Sequence, residues 1–300
     1  MEDLVIGVSI GLLSAAFFAV QNVIIKWLGE DVRPVAANSI RLWVSFPLLL
    51  FFAVNPFRQA DFAMPLETMI VLALSVVLAA GLGDVVYYTS QDRIGVSPAF
   101  AIANTYPIVT YFLAVLFLEE QFLVTRLAGV ILAICGIIVI SAQLQKGVAE
   151  NRTNAPRESD KFGYALAALT VFMYACATIM IDVGVANVDP IDANVFRLGF
   201  GSVLLAPVFY GSWRIGMPLP SRRGMKIIGV AGIFGMAFAS TFYVASIKYI
   251  GATLGAIVGS TAPLFALPFS MRYLDEPINW KVGLGTLATV LGIWITLVAV

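Results

Sequence analysis

The sequence predicts an all-α membrane protein of ten transmembrane helices, arranged as two five-helix repeats of inverted topology. Three observations lead there. The chain of 300 residues is 60% hydrophobic and 12% charged, with a mean hydropathy of +0.92, the composition of a protein whose solvent is lipid. Its second half repeats the first at a constant offset of 156 residues: Gly95 returns as Gly251, Pro107 as Pro263, Glu120 as Glu276, Gly129 as Gly285 and Gly136 as Gly292. Each half carries five apolar segments, an odd number that makes the second half enter the membrane from the opposite side.

A hydrocarbon core about 30 Å thick takes about 20 mostly apolar residues as a helix. Segments of that kind fall at 4–28, 35–54, 67–89, 97–118 and 123–143, then at 162–185, 190–210, 225–247, 252–273 and 280–299. Met1-Glu2-Asp3-Leu4 lacks the basic region of a cleavable signal, so the first segment reads as a span. The second opens on Pro34-x-x-Ala37-Asn38-x-x-Arg41-Leu42, which returns at the head of the seventh as Pro190-x-x-Ala193-Asn194-x-x-Arg197-Leu198. Gly81 and Gly83 precede Asp84 in the third. The fourth and ninth carry Pro107 and Pro263 in mid-span; such a proline removes a backbone donor and frees carbonyls one turn earlier, where Asn104-Thr105 and Ser260-Thr261 wait. Gly129 and Gly136 in the fifth, and Gly285 and Gly292 in the tenth, let a neighbouring helix approach closely. Residues 144–161 are polar, charged and proline-bearing and read as an aqueous linker between repeats at 1–143 and 162–300.

Several function classes are excluded. A formal net charge of zero and the absence of His remove the footprint of a nucleic-acid binder and any His-based catalytic or metal site. Cys135 and Cys176 lie inside apolar segments, where they read as packing residues rather than as a disulfide or a zinc site. No phosphate-cradling glycine loop and no paired nucleophile and base occur, so neither an enzyme nor a cofactor is expected.

What remains is a set of polar groups at membrane depth. A carboxylate there is expensive, so Asp84 is either a proton-coupling or substrate-amine site, or the partner of a nearby cation such as Arg41. Ser240 takes its place in the second repeat. Arg41 and Arg197 are repeat mates two turns into their spans, able to snorkel, to form an ion pair or to bind an anion. Tyr106 and Tyr174 fall in mid-span, whereas Tyr87, Tyr88 and Tyr243 lie near span ends, where an interfacial aromatic belt competes with a site. Asn22, Asn104, Thr178 and Ser260 complete the candidates, against the alternative that such groups bond back to their own backbone. The matching helix breaks at Pro107 and Pro263 point to a midplane site between the repeats. Lys248, at the end of the eighth segment, reads as an interface anchor.

The proline-bearing fourth and ninth spans, the elbows Leu118-Glu119-Glu120 and Leu274-Asp275-Glu276, and the closing Gly129–Gly136 and Gly285–Gly292 helices resemble the EamA-type branch of the drug/metabolite transporter superfamily, over essentially the whole chain. The resemblance implies a secondary carrier whose helices form a basket around a cavity lined by spans 1, 3, 4, 6, 8 and 9. It implies export of amino acids and similar amphipathic metabolites by alternating access, in some members with a coupled proton, while relatives exchange nucleotide sugars or sugar phosphates. On that implication the cavity is lined by Asn22, Asp84, Tyr88, Asn104, Tyr106, Tyr174, Thr178, Tyr243 and Ser260, with Asp84, Arg41 and Arg197 available for coupling or ion pairing. The partners expected are a small-molecule substrate and the lipid bilayer, with protons as a candidate coupling ion, no nucleic acid, and a monomer or weak dimer in a prokaryotic inner membrane. A sugar-phosphate exchanger would place two or more Lys or Arg deep in the cavity, and a non-transporting scaffold would have no use for broken, polar spans. Thirteen Lys and Arg residues fall to the odd-numbered loops and three, Arg58, Arg126 and Lys248, to the even-numbered ones. That count puts both termini outside, whereas the family topology puts them in the cytoplasm, and both orientations stay open.

Overall fold

The computed structural model describes residues 2–28, 32–55, 58, 60–149, 160–266 and 280–299. The first repeat contains α1 (Glu2–Leu28), α2 (Pro34–Ala53), α3 (Leu66–Val76), a π-helical turn at Val77–Gly81, α4 (Leu82–Ile94), α5 (Val96–Ala103), α6 (Tyr106–Phe117) and α7 (Val124–Ala149). The second contains α8 (Lys161–Val185), α9 (Pro190–Arg214), α10 (Arg222–Gly232), a π-helical turn at Ile233–Ala239, α11 (Ser240–Gly259) and α12 (Trp280–Val298). Among the described residues nine helices are long and apolar enough to cross a membrane. The ninth expected span begins inside α11, after a kink at Gly251 (φ 76°), and resumes over residues 262–266. The rest of it, and the Asp275-Glu276 elbow, lie outside the described residues.

Helix starts follow local chemistry. Asp189 accepts a hydrogen bond from the Ile191 N–H while Pro190 takes the first helical position of α9, where its missing donor costs nothing. Asp160 caps α8 by accepting from Gly163 N, and with Arg93 2.9 Å from its carboxylate it is held below the usual carboxylate range, the backbone bond being the main cause. The fourth span is interrupted beside Pro107: the helix stops at Ala103, turns through Asn104-Thr105, and Pro107 sits in the first turn of a new helix. One expected boundary needs correction: α7 runs on to Ala149, past residue 143, so the opening of the presumed linker is helical.

The repeat is written in the backbone as well as in the residues. Both π-helical turns begin at corresponding positions, Val77 and Ile233. Gly95 and Gly251 adopt positive φ of 90° and 76° with extended ψ of 158° and 171°, a region essentially reserved for glycine. The breaks at Asn104-Thr105 and Ser260-Thr261 also correspond.

Close glycine contacts show how the halves face each other. A Cβ on Gly129 would lie 2.8 Å from Gly292 O, and one on Gly285 would lie 2.9 Å from Gly136 O. Exchanging the halves maps the first contact onto the second, so α7 and α12 cross antiparallel about a two-fold axis. The same exchange relates Gly7 packed on Tyr249 and Ile250 to Gly163 packed on Arg93 and Ile94. A two-fold that reverses helix direction across a bilayer is an inverted-topology repeat. At the centre of the molecule α2 meets α9, and the repeat mates Leu42 and Leu198 share one buried cluster with Val76 and Met236. Counting crossings places both ends of the chain, the 54–65 loop and the 186–189 turn on one face. There Arg58 ties the halves together, reaching Asp189 at 2.5 Å and the buried Asp192 at 2.7 Å; the Asp192 hydrogen bond raises the Arg58 guanidinium above its ordinary value.

Candidate polar site between the repeats

The site is built on the Asn-x-x-Arg motif that opens each repeat's second helix. Residues three apart share a helix face, so Asn38 and Arg41 project together from α2. A π-helical turn pulls carbonyls out of the regular ladder, and Asn38 Nδ2 donates to one of them, Ala80 O, at 3.1 Å. Asn38 Oδ1 then accepts from Arg41 Nη2. The same nitrogen donates to Asp84 Oδ2 at 2.8 Å, with Arg41 only 2% and Asp84 16% exposed. Arg41 Nη1 lies 3.4 Å from Gln21 Oε1. Of the three readings open to Arg41, the ion pair is the one formed; a side chain this buried does not snorkel.

From Asp84 an aromatic chain crosses into the other half. Asp84 Oδ1 accepts from the Tyr174 hydroxyl at 2.7 Å. The Tyr174 ring meets Tyr106 edge-on, with centroids 6.1 Å apart, and Tyr87 at 6.3 Å; Tyr88 lies against Tyr87 and beside the Arg41 guanidinium. The Tyr106 hydroxyl donates to Ala256 O at 3.1 Å and stands 3.3 Å from the Tyr243 hydroxyl, which is 3.0 Å from Thr178 Oγ1. Ser260 Oγ donates to the same Ala256 carbonyl, which also accepts the Ser260 N–H at 3.0 Å. Third, fourth, sixth, eighth and ninth spans thus converge, two from the first half and three from the second.

These contacts overturn the aromatic-belt reading of Tyr87, Tyr88 and Tyr243, all of which pack inside. Not every candidate joins them. Asn22 is exposed and shares no hydrogen bond with the cluster, and Asn104 spends its Nδ2 on Phe100 O at 2.9 Å, closing the end of α5. Thr178 and Ser260 bond back to their own helices yet still touch the cluster. Lys248 donates to Val188 O at the surface. Sequence reasoning used Asn38 and Asn194 only as markers of the repeat; their three-residue spacing from an arginine was the signal that they orient it.

The second half repeats this construction with one charge fewer. Asn194 Nδ2 donates to Met236 O, in the second π-helical turn, at 3.4 Å and to Thr241 Oγ1 at 2.9 Å. Arg197 Nη1 donates to Asn194 Oδ1 at 2.9 Å and to Ser240 Oγ at 3.4 Å, and Nε to Ser75 Oγ at 2.8 Å.

Antiparallel five-helix halves with polar groups converging between them define an integral membrane protein of the inverted-repeat transporter class. The model of the EamA-like transporter family matches residues 5–142 and again 161–298, and the chain belongs to that family. An uncharacterized transporter of Archaeoglobus fulgidus is 24% identical over 268 residues, covering 89% of each chain. Solute carrier family 35 member G1 of Mus musculus is 24% identical over 284 residues, 93% of this chain and 74% of its own. A crystal structure aligns over 98% of both chains with a TM-score of 0.76 at 13% identity, which shows a shared fold. The protein is a transporter of small molecules, not an enzyme, and a multi-pass resident of the bilayer.

Proposed function

We propose that this protein is a secondary carrier that exports small amphipathic metabolites, amino acids foremost, by alternating access. The observation that carries the reading is the cluster of Asp84, Tyr174, Tyr106, Tyr243 and Thr178, contributed by both halves. A site shared between two bodies changes shape when they rock, which is what couples binding to a change of face. Tyrosines supply apolar rings with hydroxyl tips, suited to a substrate with an aliphatic body and a charged end. Asp84 is held by Arg41 and Tyr174, so a substrate amine or a proton acts by competing with them for the carboxylate. The uptake of a proton from the gradient at this group is part of the reading, as is a prokaryotic inner membrane as the location.

Exchange of sugar phosphates is the weaker reading. Arg41 is neutralised by Asp84, which among the described residues leaves Arg197 as the deep cation, where a phosphate dianion would draw on two or more. The test is uptake into proteoliposomes of labelled amino acids, nucleotide sugars and sugar phosphates, with and without an imposed pH gradient. Amino-acid uptake that follows the gradient in the wild type and loses that dependence in Asp84→Asn is the expected result. Exchange confined to phosphorylated substrates, indifferent to Asp84→Asn, would replace this reading with the exchanger.

A further inference from the structure

The two halves use the same scaffold to hold an arginine, and only one supplies its counter-charge. Arg41 has Asp84. Arg197 is 4% exposed, and its hydrogen bonds go to the neutral Ser75, Asn194 and Ser240. Among the described residues no carboxylate pairs with it. A guanidinium does not shed its proton at physiological pH, so the site holds a buried, uncompensated positive charge, which is destabilising unless something neutralises it.

The position that would hold the counter-ion is taken by Ser240, the repeat mate of Asp84. Ser240 is half-buried and lies three residues before Tyr243 on α11, hence on the same face. The Ser240 position, which carries no carboxylate, therefore adjoins the tyrosine cluster. We propose that Arg197, with Ser240 and Asn194 around it, is an anion subsite, and that the substrate's carboxylate occupies there the place that Asp84 occupies beside Arg41. One uncompensated cation calls for one negative charge, and a planar guanidinium fits the planar fork of a carboxylate. The inference rests on the carrier reading and narrows its substrates to small metabolites bearing a single carboxylate.

The test exploits the internal control that the first repeat provides. Ser240→Asp supplies a built-in carboxylate beside Arg197. Thermal unfolding of purified protein and proteoliposome uptake are measured with leucine, phenylalanine and threonine, with their carboxamides, and with the matching acids that lack the amine. In the wild type the carboxylates raise the unfolding midpoint, and the carboxamides show a KM raised about tenfold or more, the value of one charge-assisted hydrogen-bond pair. Ser240→Asp raises the midpoint of the unliganded protein and abolishes both the ligand-induced shift and uptake. Should carboxamides move as well as acids, or Ser240→Asp leave KM for leucine unchanged, Arg197 is a structural cation and the subsite is overturned while the carrier reading stands. Should no probe of any kind bind or move, the amino-acid reading fails and the subsite falls with it.

Discussion

Removing the Asp84 carboxylate strands Arg41, because the guanidinium is fixed by Asn38 and Gln21 and has nowhere to retreat. Asp84→Ala is expected to destabilise the protein by about 3 kcal/mol, the lower end for breaking a buried pair, read as a lowered unfolding midpoint in detergent. Replacing both partners, as in Arg41→Met with Asp84→Leu, is expected to recover most of that loss, since two apolar groups leave no orphaned charge. The pairing itself was one of the alternatives legible in the sequence, as an acid and a base at depth seek each other. Tyr243 was harder to read. Its span was expected to end at 247, whereas the helix runs on to the kink at Gly251, and the ring turns inward to meet Tyr106 and Thr178. Tyr87 and Tyr88 were misjudged for the same reason, with α4 running to Ile94 rather than to 89.

At the scale of single helices, the glycine spacing in the fifth and tenth spans announced a close crossing, and the crossing is there. Gly136→Val would drive a side chain into the Gly285 carbonyl and Thr289. It is expected to cost about 1–3 kcal/mol, read as a lowered unfolding midpoint in detergent. The cap of α8 carries a pH dependence. Asp160 is depressed in the folded state, so its contribution is fully present above the ordinary carboxylate range and is lost as pH falls through the depressed value. The hydrogen-exchange protection of residues 161–164, taken relative to the intrinsic rate at each pH, should fall on acidification in the wild type and be low at every pH in Asp160→Ala. The π-helical turns left no trace in the sequence. Val-Leu-Ala-Ala-Gly and Ile-Phe-Gly-Met-Ala-Phe-Ala contain no proline and read as ordinary apolar helix; what singles them out is a carbonyl claimed from a different helix, by Asn38 in one case and Asn194 in the other.

For the molecule as a whole, the duplication predicted the inverted architecture directly, because an odd number of crossings per repeat admits no other relation between the halves. It could not reveal where the repeats differ in contact. Arg58, Asp189 and Asp192 clasp one face, while their counterparts on the opposite face are Arg214, Arg33 and Ala36, two like charges and a methyl. Asp192→Ala is expected to loosen the clasped face. In a background with Cys135 and Cys176 replaced by serine, a cysteine at Thr253, beside Glu120, should then be alkylated on the order of tenfold faster, the shift that losing about 1.4 kcal/mol of closure produces. An unchanged alkylation rate would show that the clasp does not hold that face shut.

Under the proposed mechanism the symmetry has a consequence for direction. When each half can adopt the other's shape, the closed-at-one-face and closed-at-the-other conformations contain the same helix crossings, the same π-helical turns and the same glycine contacts, merely exchanged. Their free energies then differ only through positions at which the copies have diverged. The preferred resting face of this protein is thus a property of a few side chains rather than of its architecture, and moving the clasp to the other end, with Ala36→Asp and Arg33→Asp opposite Arg214, should reverse it.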